Sequence, residues 1–291
     1  MDQADWVANV GDAWAREWRR TDRSFAPLTD LLLDRAVMLV TEPGHADGGA
    51  RIVLDIGCGA GSTSLTLAGR LPGAQVTGVD ISPALVAVAQ GRSDGASNCR
   101  FVCADVAGWA DPASRPDLLI SRHGVMFFDD PIAAFSHLRA VSAPDARLLF
   151  SCFRSPAENE WATGIAGLLP AEAVPARLAP GAAGPFAFAE PAHVQSLLTA
   201  AGWRDIAHEA VDFAYVVGAG DNPVADALSF FSVIGPAASA IRSLEGETHA
   251  AFLERLRGWV EANLKDGVVA FRAAAWLWTA RAGAASPEGA A

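Results

Sequence analysis

Short apolar runs alternate with segments of helical periodicity between residues 51 and 153. Strands are predicted near 51–56, 75–80, 99–103, 117–122 and 146–152, with helical segments near 61–70, 83–91 and 131–142. The first run, which ends at Asp55 and Ile56, shows no polar alternation, as expected of a strand buried on both faces of a parallel sheet. Right-handed crossovers then put a ligand at the carboxyl ends of the strands. Upstream, Trp6, Val10, Trp14 and Trp18 recur every four residues, on one side of a helix. Pro27 is expected to separate this helix from a second one, Leu28–Val40. Downstream, Glu158–Leu169 reads as a helix, and the Ala/Pro/Gly-rich remainder of 154–189 as irregular. Glu190–Ala201 reads as a helix and Trp203–Val217 as a sixth strand. Asp221–Leu264 is mostly helical, with an apolar patch of Phe230, Phe231, Val233 and Ile234, and Phe271–Arg281 fits a last strand.

Composition narrows the function classes. The chain has 291 residues, 51% of them hydrophobic, enough for a large buried core. No apolar run reaches the roughly 18–20 residues that span a bilayer, and the acidic start, Met1-Asp2-Gln3-Ala4-Asp5, lacks a basic region followed by an apolar one. A cytoplasmic location without stable membrane association is expected. A net charge of −11 argues against nucleic acid as substrate. Cys58, Cys99, Cys103 and Cys152 form no CxxC pair and no zinc spacing, so they read as small buried hydrophobes, and no metal site is expected.

The chemistry concentrates where the first strand ends. Asp55 is followed by Gly57, Gly59 and Gly61, and Ser62 and Thr63 then open a helix. Glycines remove the Cβ atoms that hold a backbone away from a ligand, and the helix start aims free N–H groups at the same place. Asp55, Asp80 and Asp105 recur at 25-residue intervals, each at a predicted strand end. An acid at the tip of the second strand can accept both hydroxyls of a ribose. Ser82-Pro83 and Asp130-Pro131 are N-cap signals. His123 is the only histidine at a predicted pocket position and is a candidate general base.

The run Asp55-x-Gly57-x-Gly59-x-Gly61 resembles motif I of the class I S-adenosylmethionine (SAM) dependent methyltransferases. Leu118–Pro131 is similar to small-molecule enzymes of the ubiquinone and menaquinone type. The resemblance implies an α/β, Rossmann-like, doubly wound seven-stranded sheet whose last strand inserts antiparallel between the fifth and sixth. It implies SAM as cofactor and in-line methyl transfer to oxygen, nitrogen or carbon of a small-molecule acceptor. Asp55 would serve the ammonium of the cofactor, Asp80 its ribose and Asp105 the adenine amino group, with Val106 on the ring. The cofactor contacts extend to Cys58, Ile81, Ser121 and Arg122, and an N-terminal helix with Trp14 and Trp18 would cover the pocket. The chain then divides into 1–44 (N-terminal helices over the cofactor site), 45–153 (SAM-binding core), 154–189 (lid insertion with Trp161, Phe186 and Phe188 as walls), 190–217 (core helix and strand), 218–265 (helical cap), 266–281 (final core strand) and 282–291 (disordered tail). The patch around Phe230 is a candidate homodimer interface. Two alternatives stay open: an NAD(P)-dependent oxidoreductase, which would want G-x-G-x-x-G, and a SAM-binding protein without catalysis.

Overall fold

The computed structural model describes residues 6–7, 9–41, 51–173 and 181–283. Residues 42–50, part of the proposed lid (174–180) and the expected tail from 284 lie outside the described residues.

Helices α1 (Asn9–Arg16) and α2 (Trp18–Thr41) lead into a regular alternation. It comprises β1 (Ile52–Ile56), α3 (Ser62–Arg70), β2 (Gln75–Asp80), α4 (Pro83–Arg92), β3 (Cys99–Cys103), β4 (Leu118–Arg122), α5 (Pro131–Val141) and β5 (Arg147–Phe153). Then come α6 (Glu160–Leu168), α7 (Pro191–Ala200), the long strand β6 (Trp203–Gly218), α8 (Pro223–Val233), α9 (Pro236–Ser243), α10 (Gly246–Ala262), the two-residue β7 (Leu264–Lys265) and β8 (Val268–Ala282). The caps follow from sequence. Ser82 Oγ accepts from Leu85 N–H and Asp130 from Ala133 N–H, each with a proline at the first helical turn.

The sheet order is β3-β2-β1-β4-β5-β8-β6. The first five strands are parallel, with Val53 beside both Val76 and Leu118. β8 runs antiparallel between β5 and β6, as the resemblance implies. The seven-strand path gains one short addition. β7 forms a hairpin with β8 through Asp266-Gly267, whose φ angles of 50° and 78° are those of a tight primed turn.

Two expectations fail. Pro27 lies inside α2, and the break falls at Glu17, between α1 and α2. Burial of Phe25, Leu28, Leu32 and Leu33 along α2 outweighs the roughly 3 kcal/mol that an interior proline costs a helix. The Phe230 patch is not an exposed interface. Phe230 and Phe231 are buried, with rings against Tyr215 of β6, Phe271 of β8 and Trp259 of α10. Helices α8–α10 use this apolar face to cover the antiparallel half of the sheet. Among the described residues no single helix is long and apolar enough to cross a membrane. The pair α8–α9 passes by composition only, bent by 73°.

Candidate active site

The three glycines of the turn after β1 have different physical reasons. All are left-handed, with φ of 63°, 56° and 83° at Gly57, Gly59 and Gly61. A Cβ on Gly61 would lie 2.6 Å from the Phe101 ring, and one on Gly57 would lie 3.0 Å from Gly124 Cα. These two make room for protein. Around Gly59 no described atom lies within 4 Å of the Cβ position, so this backbone faces open space. The amides of Gly57 and Cys58 donate to the carbonyl of Val79, which docks the turn on the end of β2.

Asp80 sits at that end. Its Oδ2 accepts from Gly59 N–H at 2.8 Å and its Oδ1 from Ser82 N–H at 2.9 Å. Burial pushes its pKa up, and these amide hydrogen bonds oppose the shift. Two bonds leave further lone pairs on the carboxylate for a ligand. The end of β3 joins here. Ala104 N–H donates to the Asp80 carbonyl, and the Cys103 thiol lies 3.7 Å from the Ile81 carbonyl. Asp105 is exposed and accepts from Ala107 N–H, while Val106 is buried. Gly59, Asp80, Ile81 and Asp105 therefore converge along the carboxyl ends of β1, β2 and β3.

Other residues on which the resemblance places the cofactor turn inward. Asp55 is 1% exposed, and its Oδ2 accepts from Ser64 Oγ at 2.5 Å. Burial pushes this carboxyl up to about 7, against the opposing Ser64 bond and the charge of Arg122. Ser121 Oγ donates to the Ile56 carbonyl and receives Gly124 N–H, clamping the ends of β1 and β4 together. Arg122 donates to Thr29 Oγ1 and pairs with Asp22, both on α2.

An ion network that sequence reading missed supports the turn from behind. Arg92 donates to the Ala60 carbonyl at 2.6 Å and to Asp22 at 2.8 Å, under the ring of Trp18 at 3.9 Å. Asp22 thus joins Arg92 and Arg122, and it ties α2 to both flanks of the turn. A lone arginine in the last turn of α4 carried no signal for this, because its partners lie 32 and 70 residues away. Trp18 backs the turn through Arg92, whereas Trp14 lies on α1, away from it. Its ring is 5.8 Å from Trp6, which meets Phe127 edge-on at 5.0 Å. Gly11 lets α1 lie directly on Ser82, since a Cβ there would be 2.2 Å from Ser82 Oγ.

His123 has a left-handed φ of 66° and is buried. Its Nδ1 is 2.6 Å from Ser151 Oγ, and its Nε2 has no partner among the described residues. Burial, then the charge of Arg122, pushes its pKa down to about 3, so the ring is neutral at pH 7. Phe153 meets the ring edge-on at 4.2 Å. Trp161 and Phe186 stack at 5.7 Å beside Phe153. Phe188 is not a wall. It is buried against Phe135 and Phe150, on the far side of β5 from that stack. Inside β5, Phe150 and Phe153 alternate to opposite faces, and each takes one of the two phenylalanines of the 186–188 loop.

A family profile described as a methyltransferase domain matches residues 53–145. Over 96 residues the chain is 34% identical to trans-aconitate 2-methyltransferase of Escherichia fergusonii, a stretch that is 33% of this chain and 36% of the relative. The enzyme of that name from Paracidovorax citrulli is 40% identical over 93 residues, 32% of this chain and 35% of the relative. The match therefore spans about a third of the length of these relatives. Among solved structures, Haemonchus contortus phosphoethanolamine N-methyltransferase 2 in complex with SAM superposes with a TM-score of 0.54 at 16% identity, over 98% of this chain and 60% of that one. Magnesium protoporphyrin IX methyltransferase of Synechocystis PCC 6803 with bound S-adenosylhomocysteine gives 0.51 at 20% identity, over 72% and 90%. The cyclase SpnF gives 0.51 at 21%, over 88% and 81%. At these identities the solved structures show the fold alone. The matched residues 53–145 carry β1 to β4, four of the five parallel strands of a Rossmann-like sheet.

Proposed function

We propose that the chain is a SAM-dependent methyltransferase with a small-molecule acceptor, and that the cofactor lies across the carboxyl ends of β1, β2 and β3. The observation that carries this reading is the pairing of Gly59, whose Cα side is open, with Asp80, whose carboxylate is pinned beside it by the Gly59 amide. That arrangement fits a ligand bearing a vicinal diol. Asp80 would hold the ribose hydroxyls, Asp105 the adenine amino group, and Ile81 and Val106 the faces of the ring. Cys58 would contribute through the turn backbone, with Trp14 on the covering helix. The inward placement of Asp55, Ser121, Arg122 and Trp18 supports a framing role for these four.

When bound, SAM supplies a methyl group activated on a positive sulfur. Transfer is an in-line displacement, so the protein contributes alignment and exclusion of water. Burial holds the His123 pKa down to about 3, which makes the ring a weak proton acceptor and disfavours it as a general base. Titration calorimetry with SAM, S-adenosylhomocysteine and NADH in parallel tests the reading. The two adenosyl sulfur compounds are expected to bind at micromolar concentrations and NADH not at all. Asp80→Ala leaves the ribose hydroxyls and the Gly59 amide unpaired. It should weaken S-adenosylhomocysteine by about 1–3 kcal/mol, roughly 5- to 150-fold. Binding of NADH alone would put the oxidoreductase first.

A further inference from the structure

The acceptor side of the fold carries a ligand-binding group without a partner. His123 leaves the sheet one residue before Gly124, the residue that touches Gly57 of the turn. Ser151, next to it on β5, is fully buried, and among the described residues its hydroxyl has one hydrogen bond, to His123 Nδ1. Two tautomers are available. With the proton on Nδ1, the Ser151 hydroxyl proton has no acceptor and the Nε2 lone pair has no donor, which makes two buried orphans. With Ser151 donating to Nδ1, only one group is left over, an Nε2–H. The second arrangement wins by one buried polar group.

Aromatic rings pack against this imidazole. Phe25 and Phe153 flank His123 at 5.2 and 4.2 Å, and Trp161 and Phe186 continue the wall beyond Phe153. The loop bearing Phe186 is tied to the same exit from β4, since Gly184 N–H donates to the Met126 carbonyl. Among the described residues, no cation lies over the rings of Phe153, Trp161 or Phe186. Arg122, over Phe25 at 5.4 Å, is already held by Asp22 and Thr29.

We propose that His123 Nε2–H, with the rings of Phe153, Trp161 and Phe186, forms an acceptor subsite for a planar, uncharged molecule that offers an oxygen as hydrogen-bond acceptor. His123 binds and orients this oxygen and takes no proton from it. Among the described residues a polycarboxylate finds no counter-charge at these rings, so the acceptor class inferred here differs from the one in the name of the trans-aconitate relatives. The inference rests on the methyltransferase reading.

The test uses the full chain saturated with S-adenosylhomocysteine, with 2-naphthol and trans-aconitate as probes in calorimetry. The expected result is binding of 2-naphthol alone. His123→Phe, which keeps an aromatic ring and removes the donor, should weaken it about tenfold, and so should Phe186→Ala. Both variants should bind S-adenosylhomocysteine as the parent does, which separates this proposal from the cofactor reading. Binding of trans-aconitate, failure of 2-naphthol to bind, or unchanged naphthol affinity in both variants would overturn the proposal. Nitrogen NMR of the histidines supplies a readout independent of any ligand. A protonated Nδ1 on His123 would overturn the donor assignment, even if His123→Phe fails to fold.

Discussion

Asp55 brings a carboxyl into a place with almost no water and one hydrogen-bond donor, Ser64. Its pKa rises from 3.8 to about 7. A raised folded-state value means that the folded chain holds a proton the unfolded chain releases. The associated stability is complete below about pH 4 and is lost as pH rises through about 7. His123 has the opposite sign: lowered from 6.5 to about 3, its contribution is present above pH 6.5 and lost as pH falls. The raw pH curve therefore mixes two slopes, and the difference between variant and parent isolates one. Asp55→Asn keeps an acceptor for Ser64 Oγ and cannot ionise. Urea unfolding at pH 5 and pH 8 should show the variant gaining on the parent between the two, by on the order of 1–3 kcal/mol. An offset equal at both values would mean that Asp55 titrates normally. The three strand-end acids were legible in sequence because each closes a short, mostly apolar run, yet their orientations were not. Asp55 and Asp80 look alike in the chain. Ser64 draws one under the turn, and the Gly59 amide draws the other beside it.

The first helix is held in place by an absence. Gly11 is a poor helix residue by about 1 kcal/mol relative to alanine, but a Cβ there would lie 2.2 Å from Ser82 Oγ and 2.3 Å from the Trp6 carbonyl. Gly11→Ala thus sets propensity against docking. Helix content by circular dichroism should hold or rise slightly. Amide exchange across 9–16 should quicken, and S-adenosylhomocysteine affinity should fall about tenfold, or 1.4 kcal/mol, if α1 covers the cofactor. Unchanged exchange would show that α1 does not depend on this contact. The same region marks where element reading stops. Period-four tryptophans announced a helix, but the break at Glu17 carries no glycine or proline and puts Trp18 on the next helix, over Arg92. Pro27, the residue with breaking chemistry, sits inside α2 because long-range packing decides there. The central strands β1, β4 and β5 were readable because burial on both faces leaves a local mark. The inward turn of Phe230 and Phe231 was not, since a helix's apolar face does not say which surface it meets.

One hydrophobic core runs through both halves of the molecule, from Val53 and Val76 of the parallel strands to Leu277 and Trp278 of β8. β8 is the joint. It pairs with β5 on one side and β6 on the other, and Trp278, fully buried, stacks on Phe150 at 6.2 Å. The family match ends at residue 145, before β5, so the cofactor half could be a separate folding unit to which the rest is attached. The shared core argues otherwise. Trp278→Ala removes a large ring far from the glycine turn and should cost about 3–5 kcal/mol. If the halves fold as one, the variant loses S-adenosylhomocysteine binding and far-UV signal together, at a lower urea concentration than the parent. If the parallel half stands alone, the far-UV curve splits in two, and ligand binding persists to the parent's urea concentration. The position of β8 between β5 and β6 makes the first outcome the expected one, because softening it leaves β6 without its only strand partner among the described residues.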